Sequence, residues 1–204
     1  MDTVSSLMQQ IRQCRICEAV LPLPPKPILQ ASAQAKILIA GQAPGIKTHY
    51  KGIPFDDASG DRLRDWLGVD RATFYNPELF AIVPMGFCYP GTVMRHGKAQ
   101  GDKPPRPECR ACWHPQLLPQ LQQVQLTLIL GQYAIDYHLA DSGHQTVTSA
   151  VEQWQTFWPE RLVLPHPSPR NNFWLKKHPE FSQTILPLLR RRVREILEPH
   201  HVST

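Results

Sequence analysis

A chain of 204 residues, 42% hydrophobic, has the size of one domain with one sizeable core. No apolar run comes near the roughly 18 residues of a membrane helix, and the N-terminus MDTVSSLMQQIRQCRIC lacks a signal-peptide core, so a cytoplasmic protein without a membrane span is expected. The net charge of +5 is lopsided, since residues 161–204 hold eight Lys/Arg against three Asp/Glu while residues 1–160 balance, which suits a basic C-terminal quarter to a phosphate backbone.

In chain order, residues 3–13 predict a short helix, and Leu21-Pro22-Leu23-Pro24-Pro25-Lys26-Pro27 can only be extended. Lys36–Ala40 is a short apolar run that stops at Gly41, a parallel-type strand buried on both faces. Gly41-Gln42-Ala43-Pro44-Gly45 and Gly52-Ile53-Pro54-Phe55-Asp56-Asp57 form a wide polar loop. Asp57 or Ser59 then caps a helix running to about Leu67. Leu79–Val83 predicts a second strand, closed by Pro84. From Cys88 to Cys112 there is no periodicity, and a structureless loop that long needs a reason such as a bound metal. Trp113–Gln123 predicts a helix, Leu126–Leu130 a buried strand, and Gly131 opens a helix over QYAIDYHLA. Arg161–Leu164 predicts a fourth strand running into Pro165-His166-Pro167-Ser168-Pro169-Arg170-Asn171, and about Ser182–Leu197 a last amphipathic helix.

Four strands alternating with helices predict a three-layer α/β/α sandwich around a four-stranded parallel sheet, one domain over residues 1–204. Ligands of such sheets bind beyond the carboxyl ends of the strands, so the loops at 41–57 and 165–171 should face one cleft. Backbone amides around Gly41–Gly45 can surround a small planar ligand and Phe55 can stack on it. Asp57 could orient or deprotonate a water. His166, held between two prolines, could donate to developing negative charge. Arg170, Asn171, Lys176 and Lys177 can hold phosphates nearby.

Of the five cysteines, Cys14 and Cys17 form a C-x-x-C outside any strand-to-helix turn, a better metal clip than redox motif. Cys88 and either Cys109 or Cys112 complete a four-thiolate site suited to zinc or an iron–sulfur cluster. Cys109 is preferred because it follows the rigid Pro104-Pro105-Arg106-Pro107-Glu108 segment, while Cys112 begins a helix and can pack as a small hydrophobe.

GQAPG, GIPFDDASGDRL and PHPSPRN together resemble the uracil-DNA glycosylase superfamily over nearly the whole chain. GQAPG is similar to the first motif of its iron–sulfur branches, families 4 and 5, and HPSPRN resembles the second motif of the single-strand-selective monofunctional branch. The resemblance implies a DNA glycosylase that flips uracil or another deaminated base into the cleft and cuts its N-glycosidic bond. By that likeness Phe55 stacks on the base, and Gln42 contacts it with the backbone of Gly41, Ala43, Pro44 and Gly45. His166 stabilises the departing anion and Asp57 positions water. Ser168 meets DNA phosphate beside Arg170 and Asn171, with Lys176 and Lys177 near. Cys14, Cys17, Cys88 and Cys109 would hold a [4Fe–4S] cluster, with structural zinc as the alternative, in a monomer. The sequence departs from the pattern in having Gln42 for the usual Glu. Pro84 replaces an Asn that reads the base edge, a contact worth about 1–3 kcal/mol of discrimination. Two other readings follow from the same residues: a DNA-binding module that does not cut, and a nucleoside or nucleotide hydrolase.

Overall fold

The computed structural model describes residues 3–143 and 145–198. Helix α1 (Thr3–Arg12) precedes strand β1 (Ile37–Ala40), and α2 (Ile46–Lys51), α3 (Ala58–Leu67) and α4 (Arg71–Phe74) lead to β2 (Phe80–Ile82). A hairpin of β3 (Thr92–Arg95) and β4 (Lys98–Asp102) comes next, then α5 (Pro107–Cys112) and α6 (His114–Leu117). The chain continues through β5 (Leu126–Leu130), α7 (Gln132–His138), α8 (Val147–Glu152), β6 (Arg161–Leu164), α9 (Asn172–Lys177) and α10 (Leu186–Leu197).

The four predicted strands form one parallel sheet in the order β2-β1-β5-β6. In β1 and β2 the side-chain period of two divides residues between two cores, whereas the buried residues of β5 and β6 all belong to the first. Ile37, Ile39, Phe80 and Ile82 pack with Leu63, Trp66 and Leu67 of α3 and with Leu189 and Val193 of α10. Leu38 and Ala81, paired in register, belong instead to a core with Val4, Met8 and Ile11 of α1 and Leu117 of α6. Helices thus cover both faces, which is why β1 reads as an unbroken apolar run. The proline-rich segment after α1 is extended as expected. It ends along β2, where Gln30 and Ile82 exchange backbone hydrogen bonds of 2.9 and 2.7 Å and blunt the sheet edge. No helix among the described residues is long and apolar enough to cross a membrane.

Three expectations change. The stretch from Cys88 to Cys112 holds a hairpin and a helix; its strands carry exposed polar residues, so no alternation marked them. The helix expected at Trp113–Gln123 breaks into α6 and a 3₁₀ turn at Leu118–Gln120: Pro115 fits the first turn of α6, but Pro119 has no amide hydrogen to extend it. Cys112 ends α5 rather than opening a helix. At the C-terminus a π turn at Phe181–Ile185 leads into α10 and buries both of its end residues.

Candidate active site

Beyond the carboxyl ends of β1, β2 and β6 lies a cleft of about 660 Å³. Gly41, Gln42, Ala43, Pro44, Gly45, Phe55 and Asp57 line it from one loop, and His166, Ser168, Arg170 and Asn171 from the other. The two motif loops therefore meet. Lys176 and Lys177 do not line the cleft; they are exposed on the last turn of α9, where Lys177 Nζ lies 4.4 Å from the Phe173 ring centroid. Asp102 of β4 and Lys47 and Thr48 of α2 also line the cleft, and the sequence carried no local signal for any of them.

The first loop is held by backbone pairing that continues past the strands. Met85 N–H donates to Gly41 O and Gly86 N–H to Gln42 O, both at 2.9 Å. Phe55 adopts a left-handed conformation, with φ of 55°, uncommon for a bulky residue and a mark of stored strain at functional sites. Its carbonyl is clasped by α3: a Cβ added at Gly60 would lie 1.7 Å from Phe55 O, so only glycine fits there. Buried Arg64 donates to the same oxygen at 3.2 Å and to Asp61 at 2.6 Å, while Tyr75 Oη donates to Pro54 O at 2.7 Å. The Phe55 ring packs edge-on against Phe74 and approaches Gly41, where an added Cβ would lie 3.9 Å from Cζ.

The adjacent carboxylates diverge. Asp56 pairs with Arg71 at 2.6 Å and Lys51 at 3.1 Å, and hydrogen bonds from those two cations hold its carboxyl below the usual range. Asp57 lines the open cleft and caps α3, its Oδ1 accepting from Gly60 N–H at 3.0 Å. Its other oxygen is left for the cleft.

In the second loop, Ser168 N–H donates to His166 Nδ1 at 3.2 Å, and Asn171 Nδ2 donates to His166 O at 2.8 Å. Burial lowers the His166 pKa, the Asp57 carboxylate opposes that shift and the Arg170 guanidinium adds to it. Arg62 of α3 donates to Ser168 O at 3.3 Å and ties the two loops together. At Pro84 the cleft meets only a ring: the residue has no N–H, and its carbonyl accepts from buried His114 Nε2 at 3.0 Å.

Cys14, Cys17, Cys88 and Cys109 line one small cavity of about 10 Å³ with Phe87, Arg106 and three residues of the extended segment. Cys112 is not among its lining residues. Burial pushes the Cys88 thiol up to about 11 and the Cys109 thiol up to about 12, and the neighbouring thiols add to both shifts. Trp113 Nε1 donates to Cys14 Sγ at 3.4 Å. All five cysteines are free, and no group of three or more Cys, His, Asp or Glu among the described residues is arranged to hold a metal ion as it stands.

These features define a three-layer α/β protein with a ligand cleft beyond the strand ends, lined by an aromatic ring, a carboxylate and an imidazole whose Nδ1 accepts from the backbone. The model of the Uracil DNA glycosylase superfamily matches residues 29–190, and the chain belongs to that superfamily. Membership makes DNA the class of partner and glycosylase-type hydrolysis the class of chemistry. Among solved structures it is similar to a solution NMR structure of a candidate uracil DNA glycosylase from Methanosarcina acetivorans, at 13% identity over 81% of this chain and 98% of that one. The TM-score of that match is 0.46.

Proposed function

We propose that the cleft hydrolyses the N-glycosidic bond of uracil or another deaminated base extruded from DNA. The observation that carries this reading is the meeting of Gln42, Phe55, Asp57 and His166 in one cleft. Phe55 offers a face for the base and Gln42 an amide for its edge. As the bond between C1′ and the base nitrogen breaks, its electron pair leaves with the base and the sugar becomes cationic. His166 Nε2–H donates to the anionic base, and Asp57 orients a water toward the sugar and takes its proton. Ser168, Arg170 and Asn171 meet the phosphates at the cleft mouth, and Lys176 and Lys177 lie one helix further out.

Cys14, Cys17, Cys88 and Cys109 would hold a [4Fe–4S] cluster, or a zinc ion, as a structural tie between the N-terminus and the segments on either side of the hairpin. Four soft thiols around one cavity are the donor set such a centre takes. Such a tie lies apart from the cleft residues and supplies no step of the reaction.

The test is excision from oligonucleotides carrying uracil, hypoxanthine, xanthine or mismatched thymine, read as an alkali-labile abasic site. Product from at least one is expected, and none from any would overturn the reading. Pro84 favours a second reading, a member that binds DNA without cutting, because it withholds a base-reading group. Tight DNA binding with no excision would select it.

A further inference from the structure

Residues 92–102 play no part in the chemistry above, yet they form a distinct arm. Strand β3 pairs with β4 alone, in a two-stranded sheet separate from the central one. The turn passes through His96 (φ 48°) and Gly97 (φ 71°), a two-residue turn with both angles positive that follows the twist of a hairpin. Residues 94–100 are all exposed, and a lone two-stranded ribbon is marginal in water, so core burial does not explain the arm. Arg95 and Lys98 pair through their backbones at its tip, and neither side chain makes a hydrogen bond or ion pair among the described residues. The base of the arm is anchored in the cleft. Asp102 lines it, and a Cβ added at Gly45 would lie 3.2 Å from Asp102 Oδ2. One added at Gly101 would lie 3.6 Å from Arg170 Nη1.

We propose that this hairpin is a second DNA-contacting element, with Arg95 and Lys98 taking phosphates on the strand that leads away from the nucleotide in the cleft. The inference rests on the glycosylase reading. The arm starts beside Arg170 at the cleft wall, so its free charges continue the path of a backbone already held there. At about 3.3 Å per strand residue, Lys98 stands roughly 13 Å along the arm from Asp102. With about 3.4 Å per nucleotide along one strand, the contact falls about four nucleotides from the extruded base.

The experiment titrates the full chain and its R95Q/K98Q variant with a labelled duplex bearing a central U·G pair, at several salt concentrations. With two phosphate contacts removed, the slope of log Kobs against log[salt] should become less negative by about 1.8. The affinity loss should be equal on a lesion-free duplex, and the circular dichroism spectrum unchanged. Trimming one flank to fewer than about four base pairs should weaken wild type and erase its advantage over the variant. An unchanged slope, in a protein whose wild type binds and excises, overturns the arm alone and leaves an acidic protein partner as its use. Wild type that shows no salt-dependent DNA binding overturns the glycosylase reading and the arm with it.

Discussion

The backbone N–H of Ser168 donates to Nδ1 of His166 across 3.2 Å, and this decides which ring nitrogen carries the proton. A nitrogen that accepts cannot also hold a hydrogen, so the neutral ring is protonated at Nε2. Protonating Nδ1 as well would set one N–H against another. Burial works in the same direction, lowering the His166 pKa from 6.5. The motif loop thus holds a neutral imidazole with its one donor free.

His166→Ala should therefore lower the single-turnover rate by about 10²–10³, the usual loss for one preorganised donor. The wild-type rate should hold above pH 6.5 and fall as pH drops through the lowered His166 value. Stability follows the same sign: the unfolded chain binds more protons in that window, so the contribution is present above 6.5 and lost on acidification. A pH profile of H166A that keeps the same acid limb would assign the limb to another group.

Asp57 has two duties that two substitutions separate. Asp57→Asn keeps an oxygen for the Gly60 amide, while Asp57→Ala loses the cap, a cost of about 1 kcal/mol. In a chain of this size that is a fall in Tm of roughly 2–4 °C. Both variants should lose about 10²–10⁴ in excision rate if the carboxylate takes the water's proton. Thermal melts beside single-turnover rates check this; an active D57N would reduce Asp57 to a cap.

Gly60→Ala should damage the site without touching a cleft side chain. Its Cβ would collide with the Phe55 carbonyl, which Arg64 and Gly60 hold between them, and the backbone at Phe55 must shift. A destabilisation of about 1–3 kcal/mol is expected, with weakened binding of the extruded base. Denaturant melts and the KM for a uracil oligonucleotide measure the two effects, and unchanged values for both would show that the loop yields freely.

Substituting any of Cys14, Cys17, Cys88 or Cys109 by serine should release metal, whereas Cys112→Ser should retain it, since Cys112 lies outside the shared cavity. Protein purified without oxygen should be brown and contain iron and sulfide. Colourless protein with stoichiometric zinc would keep the site and change its occupant. Because burial raises the Cys88 and Cys109 thiols to about 11 and 12, loading must expel their protons, and apparent metal affinity should rise with pH.

Selectivity should rest on ease of extrusion, because Pro84 shows the cleft no hydrogen-bonding group. Uracil opposite guanine, or in single strands, should be excised faster than uracil paired with adenine. Equal rates on U·G and U·A would mean that another residue reads the base edge.

Much of this protein is legible in its sequence, and for local reasons. The strand at Lys36–Ala40 betrays its double burial through an unbroken apolar run, and the turn after it through Gly41, Pro44 and Gly45. Asp57 announces a helix start because a cap needs only its own three residues. The parallel direction of the strands then brings both motif loops to the same carboxyl end of the sheet. What the tertiary structure decided depends on partners distant in sequence. Asp56 and Asp57 are chemically alike; Lys51 of α2 and Arg71 of α4 engage the first in ion pairs and leave the second to line the cleft. Gly60 looks like an unremarkable helix residue until the Phe55 carbonyl is laid against it. Cys109 and Cys112 share α5, and only the packing of that helix against the N-terminal segment puts Cys109 on the cavity. The hairpin stayed invisible because its strands bury nothing that would mark a period, and its place in the cleft wall comes from Asp102 and Gly101 approaching Gly45 and Arg170 across long stretches of chain.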